Sequence, residues 1–125
     1  MSARRRIRSG YASEDDYGYS RAVQAGPHVW VSGTMARGDD LSRDTEGQFR
    51  AALALVETAL TEAGTGFDAV VRSTVYLTDL DDADAITPLH RAAFATALPA
   101  STIVEVARLS PATARVEIEV TAYTG

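Results

Sequence analysis

The sequence predicts an α+β domain in which two amphipathic helices cover one face of a mixed β-sheet. Apolar residues recur at helical spacing between residues 45 and 63, whereas residues 70–80 and 115–123 alternate between apolar and polar side chains. A length of 125 residues suits one domain with one core. The predicted order of elements is β-β-β-α-β-α-β-β, in a single domain that covers residues 1–125.

The first third of the chain is predicted to form short strands separated by polar loops. The arginine cluster at residues 4–8 is interpreted as the polar edge of a first strand, with a basic arm as the alternative. Residues 10–19 and 35–44 are polar and rich in turn formers, so both are interpreted as loops. Between them, two strands flank a turn at residues 26–27, with Val29 and Val31 on one face.

The first predicted helix runs from Thr45 to Ala63. Thr45 and Gln48 match a capping box, and Gly64 is expected to end the helix. Its apolar stripe comprises Phe49, Leu53, Val56 and Leu60.

The second predicted helix lies within residues 82–97 and contains a proline. Either Thr87 caps a helix that begins at Pro88, or Pro88 lies in the first turn of a longer helix.

The remaining strands show a clear two-residue period. In residues 70–80 one face is predicted to hold Val71, Ser73, Val75 and Leu77. Residues 101–107 and 115–123 form the final strands, and the last one directs its apolar residues to the helices and Glu117 and Glu119 away from them. Because that second face also carries β-branched and aromatic residues, we expect other copies of the chain to cover it, with pockets where subunits meet.

Composition excludes several kinds of chemistry. The chain has no cysteine and no lysine, which removes thiol nucleophiles, disulfides, lysine Schiff bases and P-loop lysines. With two histidines and no HExxH or GxSxG motif, neither a metal site nor a serine hydrolase is indicated. The available catalytic groups are carboxylates, hydroxyls, tyrosines, backbone N–H groups and water.

Charge and hydropathy limit the classes of partner that we expect for this chain. A formal net charge of −5 disfavours nucleic acid as the main partner, since phosphate binding needs a basic surface. No apolar run approaches the roughly 18 residues of a membrane span, and no signal segment follows the N-terminal arginines. A cytoplasmic location without membrane association is therefore expected.

Several segments together resemble the RidA family, also called YjgF/YER057c/UK114. They are YSRAV from Tyr19, VWVSGT ending at Thr34, VVRSTVYLTDL from Val70, and PASTIVEVARL from Pro99 followed by VEIEV. The resemblance covers almost the whole chain. It implies a chorismate-mutase-like fold and a homotrimer with three sites at subunit interfaces. It also implies hydrolysis of reactive imines and enamines, such as 2-aminoacrylate, to a 2-keto acid and ammonia, without a metal or an organic cofactor.

The same resemblance implies a set of site residues. Glu117 matches the first glutamate of the family's IEIE stretch, where it would hold or activate the attacking water as a general base; the alternative is a surface glutamate paired with an arginine. Tyr19 matches the tyrosine that closes the pocket. The other predicted ligand contacts are Ser32, Gly33, Thr34, Thr87, Ser101 and Arg108, while Glu105 and Glu119 are weaker candidates and His28 and His90 are assigned to surface or packing roles.

Ser101 departs from the pattern of the active deaminases. There the residue after Pro-Ala is an arginine, which would hold the substrate carboxylate through paired hydrogen bonds. A serine offers one neutral hydrogen bond, and a charge-assisted bond contributes about 1.5–3 kcal/mol, so carboxylate binding should weaken by at least about tenfold. Either Arg108, Arg115 or a neighbouring subunit's arginine replaces the lost cation, or the ligand is not an amino-acid-derived imine.

The sequence therefore favours hydrolytic deamination of an imine or enamine with shifted substrate specificity. The alternative is a trimer that binds a small metabolite without turnover. A third interpretation, a ribonuclease or translation inhibitor as some members of the family are described, is disfavoured by the acidic composition and by the lack of histidine–lysine chemistry.

Overall fold

A computed structural model describes residues 3–125 of the chain. Its strands are β1 (Arg5–Ile7), β2 (Ala22–Ala25), β3 (His28–Thr34), β4 (Val70–Leu77), β5 (Ala100–Glu105) and β6 (Val116–Tyr123). Its helices are α1 (Ala12–Tyr17), α2 (Thr45–Glu62) and α3 (Ala83–Ala93), with short 3₁₀ turns at Gly38–Ser42, Phe67–Ala69 and Leu80–Asp82. The six predicted strands and two longer helices occur in the predicted order, and α1 is an addition.

The strands form one six-stranded sheet in the order β1-β2-β3-β6-β4-β5. All neighbours are antiparallel except β4 and β5, which run parallel. A parallel pair needs a crossover connection, and α3 provides it. The prediction of a mixed sheet is confirmed. The last strand in sequence, β6, lies in the interior of the sheet between β3 and β4.

The core lies between this sheet and helices α2 and α3. The predicted stripe of α2 is buried, as are Val29 and Val31 of β3. Val116, Ile118 and Val120 of β6 are buried beneath the helices, which confirms the predicted alternation of that strand. Since alternate residues of a strand face opposite sides, Glu117 and Glu119 lie on the face away from the helices.

Residues 10–19 were predicted to be a loop, and this is wrong for Ala12–Tyr17, which form α1. The helix has six residues, too few for a periodic pattern to be visible. Its position depends on Glu14, which is 1% exposed and whose carboxylate accepts hydrogen bonds from Arg8 and from the backbone and hydroxyl of Ser9. A contact with the preceding segment thus holds a helix that local sequence does not reveal.

The start of α2 differs from the predicted capping box, whereas its end is as predicted. The cap is Asp44, whose Oδ1 accepts from Gly47 N at 2.9 Å, and Thr45 is the first helical residue. Gly64 follows the helix with φ of 83°, a left-handed conformation that suits glycine.

Both predicted alternatives for α3 are wrong, because the helix begins at Ala83 and Pro88 lies beyond its first turn. Thr87 is not a cap; its hydroxyl donates to Ala83 O at 2.8 Å. Proline has no N–H, so the helix continues through Pro88 without one backbone hydrogen bond.

One residue of β4 faces the opposite way from the prediction. Val71 is 47% exposed, because the register of β4 against β6 shifts between Val70 and Arg72. Such a bulge reverses the alternation locally, so Val70 rather than Val71 joins the core.

Gln48 connects α2 to the segments on either side of it. Its side chain is fully buried, and Nε2 lies 3.1 Å from both Leu41 O and Thr113 O, and 3.2 Å from Arg43 O. Its Oε1 accepts from Arg115 N at 2.8 Å. One amide therefore satisfies backbone groups that would otherwise be buried without partners, and it fixes the start of β6.

We predict that Gln48→Leu lowers the free energy of unfolding by about 2–4 kcal/mol, since each buried backbone group left without a partner costs about 1–3 kcal/mol. Urea unfolding followed by circular dichroism measures this change. Gln24→Leu on half-exposed β2 is the matched control and should change stability by less than about 0.5 kcal/mol. Equal effects of the two substitutions would contradict the role of Gln48.

Candidate functional site

An irregularity in β3 shapes the region around Ser32 and Gly33. The register of β3 against β6 shifts between Val31 and Thr34. Ser32 N donates to Arg21 O at 2.9 Å, and Ser32 Oγ donates to Ser20 O at 2.6 Å. These bonds tie the irregular part of β3 to the segment that precedes β2.

Glu117 packs directly against Gly33. A Cβ atom built on Gly33 would lie 2.5 Å from Glu117 Oε2 and 2.9 Å from its carboxyl carbon. Only a residue without a side chain leaves room for this carboxylate. The predicted pair therefore meets in space, and the glycine determines where the carboxylate lies.

Two charged neighbours and its own burial shift the pKa of Glu117. Burial raises the pKa of the Glu117 carboxyl, nearby Glu119 raises it further, and the Arg21 guanidinium lowers it. Tyr76 is directly opposite Glu117 on β4. A half-buried carboxylate with a raised pKa is a suitable proton acceptor near neutral pH.

Arg21 is a site residue that sequence reasoning missed. It is 6% exposed, its Nη2 donates to Gly33 O at 2.5 Å, and its Cζ lies 5.8 Å from the centre of the Tyr19 ring. Within residues 3–125 its buried Nε has no hydrogen-bond partner. The available signal was an arginine inside the YSRAV segment, one residue before the core residue Ala22.

Glu119 has a different environment from Glu117. The Tyr76 hydroxyl donates to Glu119 Oε1, and this bond, with burial and the charges of Glu119 and Glu117, raises the pKa of Tyr76 to about 12. Glu119 therefore accepts a hydrogen bond from a neutral tyrosine, whereas Glu117 accepts no side-chain hydrogen bond within residues 3–125.

Tyr19 lies at the rim of the same region. Its hydroxyl is 3.0 Å from Ser13 Oγ, and together with Ser32 and Trp30 it borders an open cleft of about 500 Å³. We call Tyr19, Arg21, Ser32, Gly33 and Glu117 the carboxylate half-site.

Ser101 lies elsewhere, on the helix-covered face of the sheet. On edge strand β5 it pairs with Ser73 of β4, whose side chain is fully buried. Ser73 Oγ donates to Ser101 Oγ at 2.8 Å and is also 2.8 Å from His90 Nε2. Burial lowers the pKa of the His90 imidazole.

A cavity of about 280 Å³ opens beside Ser101, between α3 and the sheet. We call it the α3 cavity. It is lined by Val75, Ile86, Thr87, His90, Arg91, Ser101 and Ile103. His90 was assigned to a surface or packing role; the structure places it in this lining, hydrogen-bonded to Ser73.

The structure thus gathers the predicted residues into two groups and does not join them within one chain. Glu117 alternates with core residues of β6 and faces away from the helices, whereas Ser101 shares the helix-covered face with Ser73. Two predicted residues belong to neither group: Thr34 is buried with its hydroxyl donating to Ser32 O at 2.8 Å, and Arg108 lies exposed after β5.

Within residues 3–125, none of the helices is long and apolar enough to cross a bilayer. No group of three His, Cys, Asp or Glu side chains there is arranged to hold a metal ion.

Comparison with known proteins places this geometry in a family. Residues 12–124 match the endoribonuclease L-PSP family. The RutC family protein UK114 of Drosophila melanogaster is 35% identical over 126 residues, covering 98% of this chain and 91% of that protein. The 2-iminobutanoate/2-iminopropanoate deaminase of Mus musculus is 32% identical over 111 residues, covering 86% and 82%.

A solved structure agrees over nearly the full length. Rv2704 of Mycobacterium tuberculosis, described as a member of the highly conserved YjgF/YER057c/UK114 family, superimposes with a TM-score of 0.89 at 40% identity, covering 97% of this chain and 99% of that one. Sequence and fold therefore agree that the chain belongs to the endoribonuclease L-PSP family, also known as YjgF/YER057c/UK114 or RidA.

Proposed function

We propose that the protein hydrolyses a reactive imine or enamine, with Glu117 as the general base. The observation that carries this proposal is the Glu117 carboxylate, half-buried against Gly33, with its pKa raised by burial and opposed by Arg21. The deaminase named among its relatives supports the same reaction class.

In this mechanism Glu117 accepts a proton from water as the water oxygen attacks the carbon of the protonated imine. The product is a neutral carbinolamine, which carries a hydroxyl and an NH2 group on the same carbon. Glu117 returns its proton to that nitrogen. As the C–N bond then breaks and ammonia leaves, the hydroxyl proton passes to Glu117 and from there to solvent, and the hydroxyl becomes a carbonyl. Water and imine are thereby converted to a carbonyl compound and ammonia without an external oxidant or reductant.

The two groups of site residues lead us to propose a homotrimer with inter-subunit clefts. Within one chain the carboxylate half-site and the α3 cavity lie on opposite faces of the sheet. A neighbouring copy that covers the outer face of one sheet with its own α3 edge would bring both groups to one ligand. No cofactor is required in this scheme.

Ser101 supports a shift in substrate relative to a site that has an arginine there. Its hydroxyl is neutral and already accepts a bond from Ser73. Arg108 is not part of the α3 cavity lining, and Arg91 is the cation that lines it. A trimer that binds a metabolite in this cavity without turnover is the second candidate, because the cavity does not depend on Glu117.

Glu117→Gln should lower the rate of ammonia release by roughly 10²–10⁴-fold, because the amide cannot accept the proton that the water loses. The assay uses freshly generated 2-aminoacrylate and its amide. Glu105→Gln on exposed β5 is the control and should retain activity. Turnover that survives Glu117→Gln would rule out this base, and no turnover by the unmodified protein would favour the metabolite-binding function.

Gly33→Ala should lower turnover by roughly 10²-fold, because the new methyl group displaces the Glu117 carboxylate by about 1 Å. Stability should change by less than about 1 kcal/mol, since a flexible side-chain end can move aside. Gly66→Ala is the matched control: its Cβ would meet open space and its φ of −159° suits any residue. Full activity in Gly33→Ala would contradict the importance of this contact.

Arg21→Gln should move the acidic limb of the pH–rate profile to higher pH. The positive charge of Arg21 lowers the pKa of Glu117, so its removal leaves burial and Glu119 to raise that pKa further. Glu117 must be ionised to act as a base. A higher pKa of Glu117 therefore means that activity appears only at higher pH. Arg50→Gln on the exposed side of α2 should leave the profile unchanged. An unshifted profile for Arg21→Gln would show that its charge does not act on the base.

A further inference from the structure

Ser73, His90 and Ser101 form a hydrogen-bonded network that ends at the α3 cavity. Ser73 is fully buried on β4, His90 projects from α3, and Ser101 stands on the edge strand β5. Both bonds of Ser73 are 2.8 Å long. The network therefore connects a half-buried imidazole to a hydroxyl that borders the cavity.

Which group donates in each of these two bonds follows from the number of hydroxyl protons on Ser73. Ser73 has a single hydroxyl proton, and it is donated to Ser101 Oγ. The bond between Ser73 and His90 must then be donated by His90 Nε2–H. Burial lowers the pKa of His90, so this imidazole is neutral at neutral pH and the network carries no charge.

Ser101 consequently has its own proton left to donate. Its oxygen accepts from Ser73, and within residues 3–125 its hydroxyl donates to no other group. A hydroxyl that already accepts a bond is a stronger donor, because successive hydrogen bonds polarise one another. Where the active deaminases have an arginine guanidinium, Ser101 thus offers one neutral hydrogen-bond donor with a fixed direction.

From this geometry we propose that the α3 cavity recognises a neutral acceptor group, an amide, ester or ketone carbonyl, through the oriented Ser101 hydroxyl. The inference rests on the proposed function and names its substrate class: imines or enamines that carry an uncharged acyl group where a carboxylate would otherwise stand. Ser73 and His90 are positioning residues for Ser101.

The cavity disfavours a carboxylate for physical reasons. Its walls include Val75, Ile86 and Ile103, and a carboxylate loses more hydration than a neutral carbonyl in such surroundings. Arg91 also lines the cavity but is exposed, so solvent weakens its attraction for an anion. One neutral donor satisfies a carbonyl oxygen and leaves a carboxylate underbonded.

The test is binding of pyruvamide and of pyruvate, measured by calorimetry at pH 7 with the intact protein. The two ligands have nearly the same shape and differ in charge. The unmodified protein should bind pyruvamide roughly tenfold more tightly than pyruvate. Ser101→Ala should remove most of this preference, and Ser101→Arg should reverse it because the guanidinium forms charge-assisted bonds with a carboxylate.

Ser73→Ala tests the network, since Ser73 does not touch the ligand. Its pyruvamide affinity should fall roughly fivefold, while Ser42→Ala on an exposed turn should have no effect. If Ser73→Ala does not fold, the inference is tested by the loss of pyruvamide preference in Ser101→Ala, a substitution on the exposed edge strand. Arg91→Gln should change the ratio of the two affinities by less than about twofold, because solvent screens this exposed charge.

Tighter binding of pyruvate by the unmodified protein, abolished in Arg91→Gln, would overturn the inference and assign recognition to Arg91. Equal affinities in the unmodified protein and Ser101→Ala would also overturn it. Neither measurement requires turnover. A preference for pyruvamide without imine hydrolysis would refute the proposed function alone, and hydrolysis without that preference would refute this inference alone.

Discussion

The position of β6 inside the sheet determines on which face Glu117 lies. β6 is paired on both sides, with β3 and with β4, so its alternation cannot slip by one residue without exposing Val116, Ile118 and Val120. The free energy gained by burying those side chains therefore also holds Glu117 on the opposite face. The carboxylate that we propose as the general base is therefore positioned by the hydrophobic burial of its neighbours along β6.

Two local departures from regular structure complete the carboxylate half-site. The irregular register of β3 brings Gly33 next to Glu117, and Arg21 holds the Gly33 carbonyl. The same arginine opposes the effect of burial on the pKa of Glu117. The position and the pKa of the proposed base thus depend on one buried arginine and one residue without a side chain.

Much of the fold follows from local sequence patterns. The stripe of α2 and the alternation of β6 arise from contacts that repeat along one element, so the sequence shows them directly. The missed features depend on contacts that no repeating pattern along one element records. Examples are α1, which Glu14 anchors to Arg8 and Ser9 in the preceding segment, and the bulge against β6 that turns Val71 outward.

The candidate site likewise has features that the sequence predicts and features that it does not. Glu117 and Gly33 were predicted from motifs, and the structure brings them into contact. The surroundings of Ser101 could not be predicted, because Ser73 and His90 are 28 and 11 residues away along the chain and meet it only through strand pairing and helix packing. In the sequence Ser101 is notable because it is not an arginine, whereas in the structure it has a specific hydrogen-bond partner, Ser73.

The central claim is that one site uses the Glu117 of one subunit and the α3 cavity of another. Subunit complementation between Glu117→Gln and Ser101→Trp tests it most directly, since the first variant lacks the base and the second fills the cavity. Each variant alone should be inactive. Mixed assemblies should recover roughly a quarter of the unmodified rate, because random exchange leaves that share of interfaces with both groups intact. Mixed assemblies that form and stay inactive, or full activity in a monomer, would contradict the account.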